Sequence, residues 1–456
     1  MKRGCTFFSG RGWCNLLTLA VLVAGVITVL IVVPIIKSRD NRSGNSGIAE
    51  PTRALVDKDS PSNAMTFINP EGTKYNLVFS DEFESAGRSF LPGEDPFWEA
   101  KDMHYWPTQD HEYYKPSQVS TGNGSLQLLM EKIKTGDLDY RSGMVQSWNK
   151  FCFRGGYLEA NVQLPGNPKV SGFWPAIWTL GNLARAGYGA TTEGTWPYSY
   201  DTCDTGVLPN QTIPTLSHLP GQRLSRCLCK GDDTPSPGQG RGAPELDLFE
   251  ASVGRRGGEV SQSHQMAPFD ARYSVNADGV TIYNVSNTFI NTYKGGVLQQ
   301  AISGVTGVPD RGYETGGGFV KYGVEYVPGP TGWVRWYVDG VAVWKMDALA
   351  VGPNALSGVA QRLIADEPMS IVMNFGMSDS FSPVRKDDLP FPSIMSIDYI
   401  RLYQEPGKED TTCNPKDRPT RDYIQKHSRA YSVWNYTTWR GAGYEWPGYT
   451  IPSRCE

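Results

Sequence analysis

The amino-acid sequence predicts an all-β protein, an antiparallel β-sandwich or jelly roll with long loop insertions, preceded by a single transmembrane helix. Two observations predict the sandwich. Short apolar or alternating runs recur between Gly, Pro, Asn and Asp, which is typical of folds built from many short strands. The apolar spacing of an amphipathic helix is not sustained anywhere after the N-terminal region. A third observation, one long uncharged run near the N terminus, predicts the membrane helix.

The uncharged run covers residues 16–36. At about 1.5 Å per residue it is long enough to cross a hydrocarbon core of roughly 30 Å. A cleaved signal peptide is the alternative, but the run exceeds a typical signal-peptide core and no small-residue cleavage site follows it. We therefore expect a cytosolic tail at residues 1–15 and a signal-anchor helix at 16–36. The chain would then be a single-pass type II membrane protein of the endoplasmic reticulum, Golgi or plasma membrane.

Cysteines and glycosylation motifs favour a lumenal or extracellular position for the part after the helix. Six of the eight cysteines follow residue 36, and disulfides form in the secretory pathway. Lys and Arg residues flank the helix almost equally on both sides, so charge does not set the orientation. The same region carries N-x-S/T motifs at Asn41, Asn123, Asn210, Asn284 and Asn435. The pairing of the six cysteines stays open at this point.

Overall charge argues against a nucleic-acid partner. The chain has 43 Lys and Arg against 47 Asp and Glu, a net charge of −4, and no run of like charges that would form a basic patch. Cys227-Leu228-Cys229 has no second cysteine pair at zinc spacing. The sequence therefore predicts neither a metal site nor a cofactor.

Composition divides the remainder of the chain into three parts. Residues 37–70 are rich in Ser, Asn, Asp and Pro, and we expect a stalk there. The strand-like runs place a folded domain at residues 71–405. Two Gly- and Pro-rich intervals, near 182–243 and 255–320, are poor in strand patterns and predict inserted loops. Residues 406–456 form a Cys- and aromatic-rich extension, which we expect to pack on the domain.

The strongest functional signal is an E-x-D-x-x-E pattern within an apolar strand. Strict alternation places Glu245 and Asp247 on one face. The same alternation would turn Glu250 to the other face, so convergence of the three acids requires a β-bulge near Leu248-Phe249. Crowded carboxyl groups raise at least one pKa, and one ionised plus one protonated carboxyl group is what retaining glycoside cleavage needs. Ca²⁺ binding and a solvent-facing acidic strand remain as alternatives.

Indole rings near this strand are candidate sugar-binding groups. Alternation puts Trp174 and Trp178 on one face of their strand, and Trp148 and Trp196 lie nearby in the sequence. Indole rings stack on pyranose faces, and their N–H groups reach hydroxyls. His264 is a further candidate substrate contact. For each of these residues, burial in the core is the alternative.

The acidic motif and several other segments resemble the family-16 glycoside hydrolases and occur in the order of that family. The matching segments are residues 78–83, 155–160, 174–178, 337–340 and 397–403. The resemblance implies a sandwich of the concanavalin A-like lectin/glucanase type. It also implies that Glu245 is the nucleophile, Asp247 the residue that orients and tunes it, and Glu250 the general acid/base.

The predicted anchor together with residues 172–210 resembles the fungal β-glucan synthesis-associated proteins. This resemblance implies a membrane-anchored retaining β-glucan hydrolase or transglycosylase in cell-wall β-glucan biosynthesis or remodelling, including β-1,6-glucan. The implied partners are β-glucan polysaccharide, the membrane and the cell-wall synthesis machinery. A non-catalytic glucan-binding scaffold or assembly factor is the main alternative, and a Ca²⁺-dependent lectin-like adhesin is a third.

Overall fold

Strands dominate the part of the chain that the computed structural model describes, which comprises residues 54–208, 219–268, 270 and 272–451. In chain order the strands are β1 (Thr66–Ile68), β2 (Lys74–Asp81), β3 (Glu99–Ala100), β4 (Met103–His104), β5 (Glu112–Tyr114), β6 (Val119–Gly122), β7 (Ser125–Met130), β8 (Tyr140–Ser142), β9 (Met144–Gln146), β10 (Gly156–Gln163), β11 (Trp174–Gly181), β12 (Glu245–Gly254), β13 (Gly257–Met266), β14 (Val280–Ile282), β15 (Thr288–Ile290), β16 (Gln300–Gly307), β17 (Val320–Val327), β18 (Trp333–Val338), β19 (Val341–Asp347), β20 (Met369–Gly376) and β21 (Ser393–Gln404).

Helices in these ranges are short. The α-helices are α1 (Gly189–Thr192), α2 (Arg421–Lys426) and α3 (Ser428–Ser432). The 3₁₀ turns are Ser62–Ala64, Trp106–Thr108, Pro116–Gln118, Thr205–Val207, Ala277–Gly279, Asp310–Gly312, Glu314–Gly316 and Ala348–Val351. Within the described ranges, no helix combines the length and the apolar character that crossing a bilayer requires. The predicted cytosolic tail at 1–15 and signal-anchor helix at 16–36 lie outside the described residues.

The strands form two large sheets and one small one. Sheet 1 has the order β1-β2-β21-β10-β17-β18-β19-β14, with β7 also paired to β21 and to β6. Sheet 2 has the order β15-β16-β13-β12-β11-β20-β9-β3, and sheet 3 consists of β4-β5-β8. Among the described residues, the pairing of β5 with β8 is parallel and the other strand pairings are antiparallel. The predicted all-β, antiparallel architecture is confirmed.

The main hydrophobic core lies between sheet 1 and sheet 2. Leu402 of β21 on one side, and Ile177 of β11 and Leu246 of β12 on the other, are fully buried in one cluster. Each such side chain contributes about 1.5–3 kcal/mol by leaving water. Buried Trp336 of β18 donates its indole N–H to the backbone oxygen of Asp247 at 2.8 Å. Sheet 1 therefore holds the backbone of the acidic strand directly.

The interval 255–320 differs from the predicted loop, because it contains the four strands β13 to β16. β13 pairs with β12 on one side and with β16 on the other. Several of its polar residues are buried: Gln262 donates to the backbone oxygen of Leu248 at 2.8 Å, and Ser263 donates to Ser303 at 2.8 Å. Polar groups that are satisfied inside the fold remove the apolar alternation by which a strand is recognised in a sequence.

The folded part also begins earlier than the stalk predicted at residues 37–70 would suggest. β1 lies within that range and pairs with β2 at the edge of sheet 1. Phe67 of β1 stacks on Tyr157 with the ring centres 3.9 Å apart. The N–H of Ser80 donates to the backbone oxygen of Leu55 at 3.0 Å. The apolar contact made by Phe67 holds this polar segment on the sheet.

The described residues of the interval 182–243 contain α1 and one 3₁₀ turn but no strand, so this interval is an insertion between β11 and β12. A disulfide joins Cys203 to Cys227 inside it. Arg241, near its end, is buried and forms a two-pronged ion pair with buried Glu367, with N–O distances of 2.8 and 2.7 Å. This pair fixes the end of the insertion immediately before β12.

The C-terminal segment, residues 406–451, packs on this insertion. Cys413 forms a disulfide with Cys152. The guanidinium of Arg223 lies 3.6 Å from the centre of the Trp439 ring and donates to the hydroxyl of Tyr423 at 2.5 Å. Cation–π contacts of this kind strengthen when the cation is buried, as Arg223 is. The insertion and the C-terminal segment therefore share a small core of their own.

Candidate active site

β12 carries the three predicted acids, and the β-bulge that their convergence requires is present. Asp247 pairs with Ser263 of β13, and Glu250 pairs with Ser261. Three residue steps on β12 therefore match two on β13, which is the signature of one extra residue in the bulged strand. The register with β11 shifts at the same place. As a result, Glu245 and Glu250 line the same cavity.

This cavity has a volume of about 80 Å³. A row of directly paired residues crosses it on sheet 2: Glu250 faces Ala176 of β11, Ala176 faces Asn374 of β20, and Asn374 faces Met144 of β9. The small side chain of Ala176 leaves room between the carboxyl and the amide. The remaining lining residues are Tyr105, Thr108, Asp110, Tyr114, Trp174, Trp178 and Glu245.

Each of the two glutamates receives a hydrogen bond from an indole. Trp174 donates its N–H to Oε1 of Glu250 at 3.1 Å, and its ring stacks on Phe381 with the centres 4.3 Å apart. Trp196 donates its N–H to Oε2 of Glu245 at 2.6 Å. Trp196 belongs to the insertion, so the insertion contributes directly to the site. Both donors stabilise the ionised form of the carboxyl group that they contact.

The acids on β12 do not all ionise at neutral pH. Burial raises the pKa of Glu245 to about 8, and the charge of Glu250 adds to this effect. Burial also raises the pKa of Glu250 to about 7. The pKa of Asp247 lies well above its usual range because of burial and the charges of both glutamates. Around neutral pH the two glutamates therefore hold about one proton between them.

Hydrogen bonds oppose burial at both glutamates, but the pKa of Glu245, about 8, stays above that of Glu250, about 7, so Glu250 ionises first in the free site. Trp196 and the Asp247 carboxyl group both lower the pKa of Glu245, after the larger opposing effects of burial and the Glu250 charge. For Glu250, Trp174 alone among the described residues lowers the pKa against burial. A protonated carboxyl and an ionised carboxyl in one cavity can together donate a proton to one atom and attack another.

Residues 105–114 contribute a side of the cavity that sequence reasoning did not predict. We call Tyr105, Thr108, Asp110 and Tyr114 the loop wall; all four line the cavity. Tyr105 has its pKa raised by burial and then by the charges of Glu245 and Asp110, so its hydroxyl lies near carboxyl groups from both sides. The segment shows no apolar periodicity, and its approach to β12 depends on the tertiary fold.

The structure brings Trp174, Trp178 and Trp196 to the acids, but it places Trp148 and His264 elsewhere. Trp148 donates its indole N–H to the backbone oxygen of Asn182 at 3.0 Å and stacks on Tyr431 of the C-terminal segment. His264 pairs across the strands with Leu246, which points into the core. Burial lowers the pKa of His264 to about 3, so the ring is neutral.

The sequence is similar to those of known proteins. The chain matches, over residues 1–455, the family described as beta-glucan synthesis-associated protein SKN1/KRE6/Sbg1. It is 46% identical over 409 residues to the beta-glucan synthesis-associated protein KRE6 of Saccharomyces cerevisiae, an alignment that covers 88% of this chain and 56% of that protein. The SKN1 protein of the same yeast is also 46% identical, over 88% of this chain and 53% of its own length. The chain spans about half the length of these curated relatives.

Among solved structures, the endo-beta-1,3-glucanase of Pyrococcus furiosus is similar with a TM-score of 0.46 and 17% sequence identity. That alignment covers 75% of this chain and 98% of the glucanase.

Proposed function

The chain belongs to the family of beta-glucan synthesis-associated proteins SKN1/KRE6/Sbg1, and from this premise we propose that it is a retaining β-glucan hydrolase or transglycosylase. Its substrate is cell-wall β-glucan, including β-1,6-glucan. Glu245 is the nucleophile, Asp247 orients and tunes it, and Glu250 is the general acid/base.

One observation carries the proposal. Glu245 and Glu250, turned to the same side by the bulge in β12, line one cavity and each accept an indole N–H. A mere acidic surface strand would not need to bury Asp247, partly bury both glutamates, and supply each glutamate with its own indole donor. The cost of burying these groups is the kind of cost that active sites carry.

The chemistry balances in two steps. The ionised carboxylate of Glu245 forms a bond to the anomeric carbon, the glycosidic C–O bond breaks, and the proton of Glu250 goes to the leaving oxygen. Glu250, now ionised, takes a proton from water or from a glucan hydroxyl. The oxygen so activated then attacks the anomeric carbon and releases Glu245. Water as acceptor gives hydrolysis, and a glucan hydroxyl gives transglycosylation.

Three indoles support these steps in different ways. Trp174 and Trp178 line the cavity, where a pyranose ring can stack on them. Trp174 also fixes the acid/base through its hydrogen bond to Glu250. Trp196 fixes the nucleophile from the insertion.

The direct test is turnover by the full chain, solubilised in detergent, with β-1,3- and β-1,6-linked glucan oligosaccharides and mass analysis of the products. Glu245→Gln and Glu250→Gln should each lower the rate by about a hundredfold or more. Glu405→Gln, which changes an exposed glutamate paired with Lys408, should leave it unchanged. Wild-type-like turnover by both site variants, or no turnover by the unmodified chain, would favour the scaffold function instead.

We also propose that the site works on the lumenal or extracellular side of a secretory-pathway membrane, beside the cell-wall synthesis machinery, as a single-pass type II protein. The disulfides Cys152–Cys413 and Cys203–Cys227 support this location. Exposed N-x-S/T asparagines support it as well: Asn123, Asn284 and Asn435. Enzymatic deglycosylation of the protein from its host should lower its apparent mass, and an unchanged mass together with a cytosolic protease-accessible C-terminal part would contradict the location.

A further inference from the structure

The loop wall carries a carboxyl group, Asp110, that has no role in the two catalytic steps above. Asp110 lines the cavity together with Glu245 and Glu250, and only 4% of it is exposed. Burying a third carboxyl group beside two acids costs free energy unless hydrogen bonds or a ligand compensate. The surroundings of Asp110 show how that compensation is arranged.

A directed chain of hydrogen bonds ends at Asp110. The indole N–H of Trp178 donates to Asn374 at 2.8 Å, and Asn374 donates to the hydroxyl of Tyr114 at 3.2 Å. The Tyr114 hydroxyl donates to Oδ2 of Asp110 at 3.1 Å. Thr108 donates to Oδ1 at 2.6 Å. Every donor in this chain points toward Asp110, and aligned donors strengthen one another in a low-dielectric site.

Glu112 backs Asp110 from inside the protein. Alternation along β5 directs Glu112 and Tyr114 to the same side. Glu112 is fully buried, and its carboxyl group lies within hydrogen-bonding reach of the Asp110 carboxyl group and of Tyr114. Burial, and then the charge of Asp110, raise its pKa well above the usual range. Burial raises the pKa of Asp110 only to about 6, so Asp110 is the carboxyl group of this pair that ionises first.

We propose, resting on the proposed function, that Asp110 positions the sugar in the cavity by accepting hydrogen bonds from hydroxyl groups of a glucosyl unit that stacks on Trp178. Asp110 is a positioning and specificity-determining residue, and Glu112 holds its orientation. The proposed subsite consists of Trp178, Asn374, Tyr114, Thr108 and Asp110.

The chemistry of the subsite selects a neutral, hydroxyl-rich ligand. Thr108 and Tyr114 each donate to one oxygen of Asp110, and a carboxylate can accept further hydrogen bonds beyond these from a ligand in the cavity that it lines. A hexose supplies donors at its edge and an apolar face for the indole. The cavity of about 80 Å³ is several times the roughly 10–15 Å³ that a cavity needs to hold one water, so it has room for a group larger than a single water.

The proposal is tested on binding, separately from turnover. In a Glu250→Gln background, the detergent-solubilised full chain is titrated by calorimetry with laminaritetraose, which is β-1,3-linked, and with gentiotetraose, which is β-1,6-linked. Adding Asp110→Asn should weaken binding of the better ligand by about tenfold to a hundredfold, the effect of losing a hydrogen bond to a charged group. Adding Asp102→Asn, at an exposed aspartate paired with Lys115, should change the affinity by less than about twofold.

The outcomes separate this proposal from the catalytic one. Affinity unchanged by Asp110→Asn, or no binding of either tetrasaccharide by the Glu250→Gln chain, overturns the subsite even if the wild type turns over glucan. Affinity lost with Asp110→Asn supports the subsite even if the wild type shows no turnover. In an otherwise wild-type chain, Asp110→Asn should raise KM more than it lowers kcat.

The role of Glu112 is tested by a conservative and a non-conservative change. Glu112→Gln keeps a donor directed at Asp110 and should bind the tetrasaccharide within about threefold of the parent. Glu112→Leu fills the same space without a donor and should weaken binding by about tenfold. Equal affinities for the two variants, at equal thermal stability, would contradict the positioning role of Glu112.

Discussion

The indole N–H of Trp196 donates to Oε2 of Glu245 at 2.6 Å, and this contact joins the insertion between β11 and β12 to the first acid of the site. Trp196 is distant from Glu245 in sequence, and a cavity-lining residue of β11, Trp174, makes the equivalent contact with Glu250. The two indoles thus act on different members of the acid pair, and their removal should affect different parts of the pH profile.

Trp196→Phe should move the alkaline limb of the pH–rate profile to higher pH by about one pH unit. The lost donor stabilises ionised Glu245, so its removal raises the pKa of Glu245. The pKa of Glu245, about 8, lies above that of Glu250, about 7, so the second of the two protons leaves at the pKa of Glu245 and the alkaline limb follows it. The measurement is kcat/KM against pH on a β-glucan oligosaccharide. An alkaline limb that stays in place would show that Trp196 does not tune Glu245.

Trp174→Phe should move the acidic limb to higher pH instead. Trp174 lowers the pKa of Glu250 against the larger effect of burial, so its removal raises that pKa. The first of the two protons leaves at the pKa of Glu250, the lower of the two, so the active one-proton form appears only at a higher pH. Sugar stacking is weakened as well, and KM should rise. If the same limb moved in both tryptophan variants, the assignment of one indole to each carboxyl group would be wrong.

Glu367→Ala should lower the free energy of unfolding by about 3–5 kcal/mol, because it leaves the buried guanidinium of Arg241 without its carboxylate. Replacing both partners, as Arg241→Met with Glu367→Leu, should recover most of that loss. Asp388→Ala breaks an exposed pair with Arg385 and should cost less than about 1 kcal/mol. Denaturant unfolding of the three variants gives the comparison, and equal losses for Glu367→Ala and Asp388→Ala would contradict it.

Removing the disulfide between Cys152 and Cys413, as the double Ser variant, should lower the free energy of unfolding by about 2–5 kcal/mol. The bond ties the C-terminal segment to the sandwich, and that segment covers Trp148 and the Arg223 contacts of the insertion. The double variant avoids the unpaired thiol that a single replacement would leave. A thermal transition at the wild-type temperature would show that side-chain packing alone holds the segment.

Local pattern was sufficient to predict the acidic strand and its bulge. Alternation places Glu245 and Asp247 on one face. Glu250 can reach that face only if β12 has one extra residue between Asp247 and Glu250, and the pairing of β12 with β13 shows this extra residue. The same reasoning placed Trp174 and Trp178 on the side of the acids, where both line the cavity. These predictions needed only the geometry of one strand at a time.

The rest of the site depends on contacts between distant parts of the chain. Tyr114 and Asn374 are 260 positions apart and share a hydrogen bond. Asp110 lies in a short polar segment that resembles any surface turn until sheet 3 brings it to the cavity. His264 was a candidate substrate contact because it follows the acidic strand in the sequence. In the structure it pairs with Leu246, on the core face of the sheet. The strand β13 was also missed in the sequence, because its buried polar residues interrupt the apolar alternation by which a strand is recognised.

The bulge in β12 makes one residue of the strand redundant for aiming the acids. Deleting Leu248 would leave a regular strand in which Glu250 still falls on the side of Glu245 and Asp247, since the extra residue is the one that is lost. Deleting Leu246 has the opposite consequence, because Glu245 would rotate away from Asp247. Deletion of a single residue should therefore preserve the convergence of the acids at Leu248 and destroy it at Leu246, two positions away on the same strand.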